Sequence, residues 1–303
     1  MNDKLKIKGL GVINPCPYTA SDEINEEEYR KHINWMADNG LNFIQPLAAT
    51  GQALSMTKDE FKKVYRWTVE ELKGKVLITG YTGRADTKET IEYTKMAQDL
   101  GCDCVFIMEP YFSRPSPRGL YEHFKAIAEA VPGFPIVFYN NPVRGGDYKI
   151  GSPIVIPLDV MDRLVNEYDN FVGLKEGQLD MLAEHCRVLR DRIDVFPWDE
   201  RQWIYGLAFG CPAVLTYSMS IIPKQMSDLL RTWQKGEKEK ATELYFKYLP
   251  LFNLIHIEAN PGPLGYMLKR LGWNFGPRRL PIVPPAPETV KIIDGVLDSL
   301  GLI

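Results

Sequence analysis

The sequence predicts a closed parallel (β/α)8 barrel, a TIM barrel, with a small C-terminal helical extension, and three observations carry that expectation. Eight short β-branched or apolar runs alternate with amphipathic helical stretches along the chain. In the first half the runs start about 30 residues apart, the length of a strand plus its crossover helix. No G-x-G-x-x-G follows the first run, which counts against an open dinucleotide-binding sheet.

The strands are expected to begin near Leu10 (GLGVIN), Leu41 (LNFIQP), Val76 (VLITG), Asp103 (DCVFIM), Pro135 (PIVFY), Phe171 (FVGLK), Ile193 (IDVFP) and Pro212 (PAVLTY). Between them, EEEYRKHINWMADN, KDEFKKVYRWTVEELK and TKETIEYTKMAQDL place apolar residues three and four apart, the spacing of a helix with one buried stripe. Thr57 before Lys58-Asp59-Glu60 and Asp86 before Thr87-Lys88-Glu89 read as N-caps with acids in the first turn. After the eighth strand, helical patterns at 221–234, 237–257, 262–271 and 287–299 supply the last barrel helix and the extension. The expected division is a barrel over residues 1–225 carrying the active site, then an extension over 226–303.

Composition narrows the function. The 303 residues hold 36 Lys and Arg against 39 Asp and Glu, a net charge of -3, so no basic excess is present to neutralise nucleic-acid phosphates. Hydrophobic residues at 45% and charged residues at 25% match an ordinary soluble globular protein rather than a disordered or collagen-like chain. No apolar stretch is long enough to span a membrane, and the start MNDKLKIKGLGV lacks a signal peptide's apolar region; a cytoplasmic protein is expected. Five cysteines, an odd number spread over the chain, suit buried reduced thiols. Four widely separated histidines, without H-x-H or H-E-x-x-H, offer no metal site, and neither a G-x-S-x-G elbow nor a P-loop is present.

In such a barrel the chemistry lies at the C-terminal ends of the strands. The residues there are Ala49-Thr50-Gly51-Gln52, Tyr81, Glu109-Pro110-Tyr111-Phe112, Tyr139-Asn140-Asn141-Pro142, Lys175-Glu176, Trp198-Asp199 and Tyr217-Ser218. Lys175 closes an apolar run. Burial at such a position disfavours the ammonium form and exposes an amine able to attack a ketone and form a Schiff base. The alternative is a structural ion pair with Glu176 or another carboxylate. Tyr139 ends the preceding strand, beside Lys175, where a phenol can shuttle protons or simply pack at the rim.

Tyr139-Asn140-Asn141-Pro142 followed by Gly173-Leu174-Lys175-Glu176 resembles the paired signatures of the dihydrodipicolinate synthase/N-acetylneuraminate lyase family of class I aldolases. Ala48-Ala49-Thr50-Gly51-Gln52 with Leu54-Ser55-Met56-Thr57 is similar to the family's G-[TS]-T-G-E loop and its S-x-L-[ST] sequel. The segments 110–116, 119–124, Asn260-Pro261-Gly262-Pro263 and 268–272 also fit, so the resemblance runs in order over residues 7–300. It implies a 2-oxo acid such as pyruvate held as an imine on Lys175, with Tyr139 as proton shuttle and no metal or organic cofactor. The enamine derived from that imine would join an aldehyde, or the reverse would cleave a carbon–carbon bond; loss of water is a related outcome. The implied substrate-binding set is Ala49, Thr50, Arg144 and Val214, with the Ala49-Thr50 amides and the Arg144 guanidinium suited to carboxylates. A homotetramer or homodimer is the assembly the resemblance implies.

The departures are informative. Ala49 and Phe112 stand where the family's synthases carry a hydroxyl residue and a partner-subunit tyrosine, so a relay of three hydroxyls is interrupted at two points. Gln52 replaces a glutamate. Glu109 adds a carboxyl that can act as acid or base, cap a helix or pair with Arg114. Tyr81, Tyr111, Phe112, Trp198 and Tyr217 can make the second-substrate pocket aromatic, and the insertion-like segment 147–157 can shape it. The reading is a class I lyase, aldolase or dehydratase acting on a 2-oxo acid. The alternatives are the family's synthase reaction, pyruvate with aspartate semialdehyde, and a noncatalytic 2-oxo-acid-binding protein.

Overall fold

The computed structural model describes residues 4–141 and 155–303. Among them are eight strands: β1 (Gly9–Ile13), β2 (Phe43–Gln45), β3 (Leu77–Tyr81), β4 (Cys104–Met108), β5 (Ile136–Asn140), β6 (Phe171–Glu176), β7 (Asp194–Pro197) and β8 (Ala213–Thr216). They form one sheet in the order β7-β6-β5-β4-β3-β2-β1-β8: β1 to β7 each lie beside their neighbours in sequence, β8 lies beside β1, and β7 and β8 end the order. With the helices between them this is the (β/α)8 barrel expected from the sequence. Seven helices accompany the strands: α1 (Glu26–Asp38), α2 (Lys58–Leu72), α3 (Thr87–Asp99), α4 (Pro117–Ala130), α5 (Leu158–Glu167), α6 (Leu179–Leu189) and α7 (Trp203–Ala208). Beyond β8 come α8 (Pro223–Gln234), α9 (Lys238–Leu254), α10 (Gly262–Arg270) and α11 (Pro287–Ser299). Among the described residues no helix is long and apolar enough to cross a membrane.

The helix starts follow local chemistry. Thr57 Oγ1 accepts the Glu60 N–H while the Glu60 carboxylate accepts the Thr57 N–H, a complete capping box for α2. Asp86 accepts the Glu89 N–H at 3.0 Å ahead of α3, and Ser116 accepts the Gly119 N–H ahead of α4, where Pro117 presets the first turn. β2 begins two residues after the start of its apolar run: Asn42 is spent outside the strand, its side-chain oxygen accepting the Leu10 N–H at 2.8 Å.

The chain divides into two compact units, residues 1–8 with 77–215 and residues 9–76 with 216–303. In the first, β4, β5 and β6 are buried on both faces, as parallel strands covered on each side must be. Met108 is level with Tyr139, Tyr139 with Lys175, and Lys175 with Phe196, so these four share one face. Phe138 faces the other way and packs edge-on to Phe124 of α4 at 5.1 Å and flat on Phe171 at 4.4 Å. At the strands' opposite ends Asp103 and Asp194 accept the N–H groups of Ile78 and Ile7, each at 2.8 Å.

In the second unit the ring of His32 lies against Trp273 and Phe275 at 4.6 and 5.0 Å, with Nε2 2.9 Å from the Ser220 carbonyl. Thr216 Oγ1 donates to the Gly11 carbonyl at 3.2 Å, fastening the end of β8 to β1. All five cysteines are buried and free, in keeping with reduced thiols. Cys186 and Cys211 are in contact, sulfur to sulfur, at 3.6 Å.

Candidate active site

Period-two alternation separates the two charged residues that end β6. Lys175 turns to the face it shares with Tyr139, fully buried, with Nζ 3.5 Å from the centre of the tyrosine ring. Glu176 turns to the other face. There its carboxylate accepts from Asn140 Nδ2 at 2.9 Å and the Gln178 N–H at 2.8 Å, and stands 2.8 Å from His185 Nδ1 on α6. The alternative of a Lys175–Glu176 pair therefore gives way to a lysine held against a phenol. Gly177 follows because nothing larger fits: a Cβ there would lie 2.5 Å from Trp198 Nε1 and 3.0 Å from the Asn140 carbonyl.

The phenol of Tyr139 is held in turn. Asn141 Nδ2 donates to Tyr139 Oη at 2.7 Å, and Tyr81 meets the Tyr139 ring edge-on at 6.3 Å. Asn141 is buried and its Oδ1 has no hydrogen-bond partner among the described residues. Sequence reasoning read this residue only as part of a motif; the signal was a second amide beside the strand's last tyrosine. Glu109, beyond β4, is fully buried, and among the described residues neither carboxyl oxygen has a partner within hydrogen-bond geometry. Burial pushes it up to about 8; its own N–H and that of Asn141 oppose this weakly, and the Glu176 charge adds to it. Both structural roles considered for Glu109 are corrected: Ser116 caps α4, and Arg114 is exposed on the surface.

The other aromatics differ in placement. Trp198 is buried beside Gly177, Tyr111 is half-buried, and Phe112 is 86% exposed, projecting into solvent instead of lining an enclosed pocket of the single chain. Val214 is fully buried within β8. A surface cavity of about 1160 Å³ in this unit is lined by Pro135, Asn170 and Val172, at the N-terminal ends of β5 and β6 and away from Lys175. Arg144 and most of the segment 147–157 lie outside the described residues.

In the second unit the turn after β2 carries Ala49, half-buried, and Thr50, buried, whose Oγ1 accepts from Asn260 Nδ2 at 3.0 Å. The turn is closed by the Gln52 N–H to the Ala49 carbonyl and the Ala53 N–H to the Ala48 carbonyl. Ala48 holds φ +113, a region that favours glycine, and Gly51 has no room for a Cβ, which would lie 2.9 Å from Leu47 Cα. Gln52 uses both ends of its amide, Nε2 donating to the Arg279 carbonyl at 2.7 Å and Oε1 accepting the Arg279 N–H at 3.1 Å. Tyr217 packs edge-on to His256 at 5.3 Å. Among the described residues no cluster of His, Cys, Asp or Glu is placed to hold a metal ion.

Comparison with known proteins gives these features a context. The model of the dihydrodipicolinate synthetase family matches residues 6–298. A 4-hydroxy-tetrahydrodipicolinate synthase of Bradyrhizobium diazoefficiens is 31% identical over 305 residues, spanning 100% of each chain. One from Clostridium perfringens is 33% identical over 298 residues, 98% of this chain and 99% of the relative. Among solved structures, the enzyme of Methylacidiphilum fumariolicum superposes with a TM-score of 0.91 at 28% identity, covering 98% of this chain and 96% of that one. A dihydrodipicolinate synthase of Acinetobacter baumannii complexed with pyruvate gives 0.91 at 28% identity, with 98% and 100% covered. With the barrel, the buried lysine at the end of β6 and the tyrosine beside it, these matches place the chain in the dihydrodipicolinate synthetase family, as a class I lyase.

Proposed function

We propose that Lys175 condenses with the ketone of a 2-oxo acid, pyruvate being the simplest, and that Tyr139 moves the protons. One observation carries the reading: a fully buried lysine amine 3.5 Å from a tyrosine ring, the two level on adjacent strands at the barrel's C-terminal end. The amine adds to the carbonyl carbon, a proton passes to the oxygen, and the carbinolamine loses water to give the imine. Loss of a proton from the neighbouring carbon then gives an enamine, whose carbon adds to an aldehyde; hydrolysis frees the lysine. The imine is itself the electron sink, so the sequence needs neither metal nor organic cofactor.

The roles of Ala49 and Thr50 as carboxylate grip, and of Arg144 and Val214 in substrate binding, are carried over from the family resemblance. Assembly as a homotetramer or homodimer is proposed likewise. The exposed Phe112 supports an oligomer, although one solved relative is titled a monomeric dihydrodipicolinate synthase variant. The second substrate is proposed to differ from that of the synthases, because a methyl at Ala49 and a phenyl at Phe112 carry no proton.

Borohydride reduction in the presence of pyruvate, followed by intact-mass and peptide mass spectrometry, is expected to show one adduct on Lys175 that Lys175→Ala lacks. No adduct with any of a panel of 2-oxo acids overturns the reading. Turnover of pyruvate with aspartate semialdehyde at a rate ordinary for a synthase would overturn the proposed difference in second substrate.

A further inference from the structure

Three places hold chemistry that the steps above leave unused: the contact between Cys186 and Cys211, the buried Glu109, and the second asparagine at the end of β5. The last carries furthest. Asn141 is buried, its Nδ2 is 2.7 Å from Tyr139 Oη, and its Oδ1 is an acceptor with no partner among the described residues. A buried amide oxygen left unpaired is unfavourable, and a donor brought by a bound intermediate would relieve it. Neither Ala49 nor Phe112 carries a hydroxyl that could pass a proton.

We propose that Asn141 is a positioning residue for the Schiff-base reaction: it holds the Tyr139 phenol toward Lys175 in place of a hydroxyl relay, and its free oxygen receives a donor hydroxyl of the bound intermediate. This rests on the imine reading above. By donating to the phenol oxygen, Asn141 directs the phenol's own proton elsewhere, which leaves it available to the carbinolamine oxygen. An amide neither takes nor gives a proton under these conditions, so Asn141 orients the transfer and Tyr139 performs it. The Oδ1 acceptor matches an intermediate that bears O–H groups, the carbinolamine first among them.

An isosteric pair tests this. Valine and threonine have the same shape, and only threonine restores a hydrogen-bonding group. With pyruvate as the probe, the rate of adduct formation, read by borohydride quench and mass spectrometry, is expected to fall about tenfold to a hundredfold in Asn141→Val. The final adduct yield and the melting temperature should stay close to those of the unaltered protein. Asn141→Thr should recover a large part of the rate. If Asn141→Val forms adduct as fast as the unaltered protein, or if Asn141→Thr is as slow as Asn141→Val, the proposal is overturned while the imine reading stands. If the unaltered protein forms no adduct, it is the imine reading that falls.

Discussion

Glu109 shows how one buried group shapes behaviour at the residue scale. Its pKa of about 8 in the folded chain exceeds the ordinary glutamate value because burial penalises the carboxylate. The folded chain therefore keeps a proton that the unfolded chain releases near pH 4.5. Stability is undiminished below that pH and falls as pH rises toward 8, by roughly 1.4 kcal/mol per pH unit for this group. Glu109→Gln removes the ionisation. Its melting temperature should match the unaltered protein near pH 5 and exceed it increasingly up to pH 8 to 9. Parallel curves for the two proteins across that range would show that Glu109 is not held neutral.

At the scale of elements, the turn after β2 is joined to the segment at Arg279 through a two-way amide contact. Gln52 donates to the Arg279 carbonyl and accepts its N–H. Arg279 continues the connection, binding the Glu60 carboxylate that completes the α2 capping box and Asp22 at 2.8 Å, with its guanidinium 4.5 Å over the Tyr18 ring. This gives a physical reason for an amide at position 52: a carboxylate can accept the N–H but cannot donate to the carbonyl, leaving two acceptors opposed. Gln52→Glu should lower stability by about 1–3 kcal/mol, measured by urea unfolding with an unchanged m-value. A change under a few tenths of a kcal/mol would mean that the contact is replaceable by water.

On the scale of the whole molecule, each compact unit contains a buried neutral histidine. His32 is lowered to about 4 by burial, against a weaker opposing contact with the Ser220 carbonyl. His123 is lowered to about 4 by burial, with Asp86 opposing, and its Nδ1 is 2.9 Å from Thr87 Oγ1. The unfolded chain takes up protons at these positions below pH 6.5 while the folded chain does not until about 4. Their contribution is complete above pH 6.5 and is lost as pH falls through that window, before the carboxylates titrate. His123→Gln should flatten the dependence of melting temperature on pH between 6.5 and 4. An unaltered slope would place the acid sensitivity elsewhere.

Much of the fold was legible because its determinants are local or periodic. The eight strands lie within a residue or two of their apolar runs, and Thr57 and Asp86 cap the helices their side chains announced. Lys175 and Tyr139 were legible as a pair because strand-end residues of neighbouring βα units must adjoin in a parallel barrel. Less was legible where a side chain's use depends on what packs over it. Glu109 reads equally as cap, ion-pair partner or acid until its complete burial is seen. Phe112 reads as a pocket residue until it projects into solvent.

By itself the sequence determined the barrel, its order of elements, the family and the lysine, since spacing, capping and motif order are properties of the chain in one dimension. Tertiary structure alone decided which groups Lys175 and Glu176 meet on their two faces, that Asn141 reaches the Tyr139 phenol, and that Gln52 bonds with residue 279. The physical reason is the range of the interactions. Helix and strand periods are set by neighbours a few residues away, whereas burial and hydrogen-bond partnership are set by groups that meet only once the chain has folded.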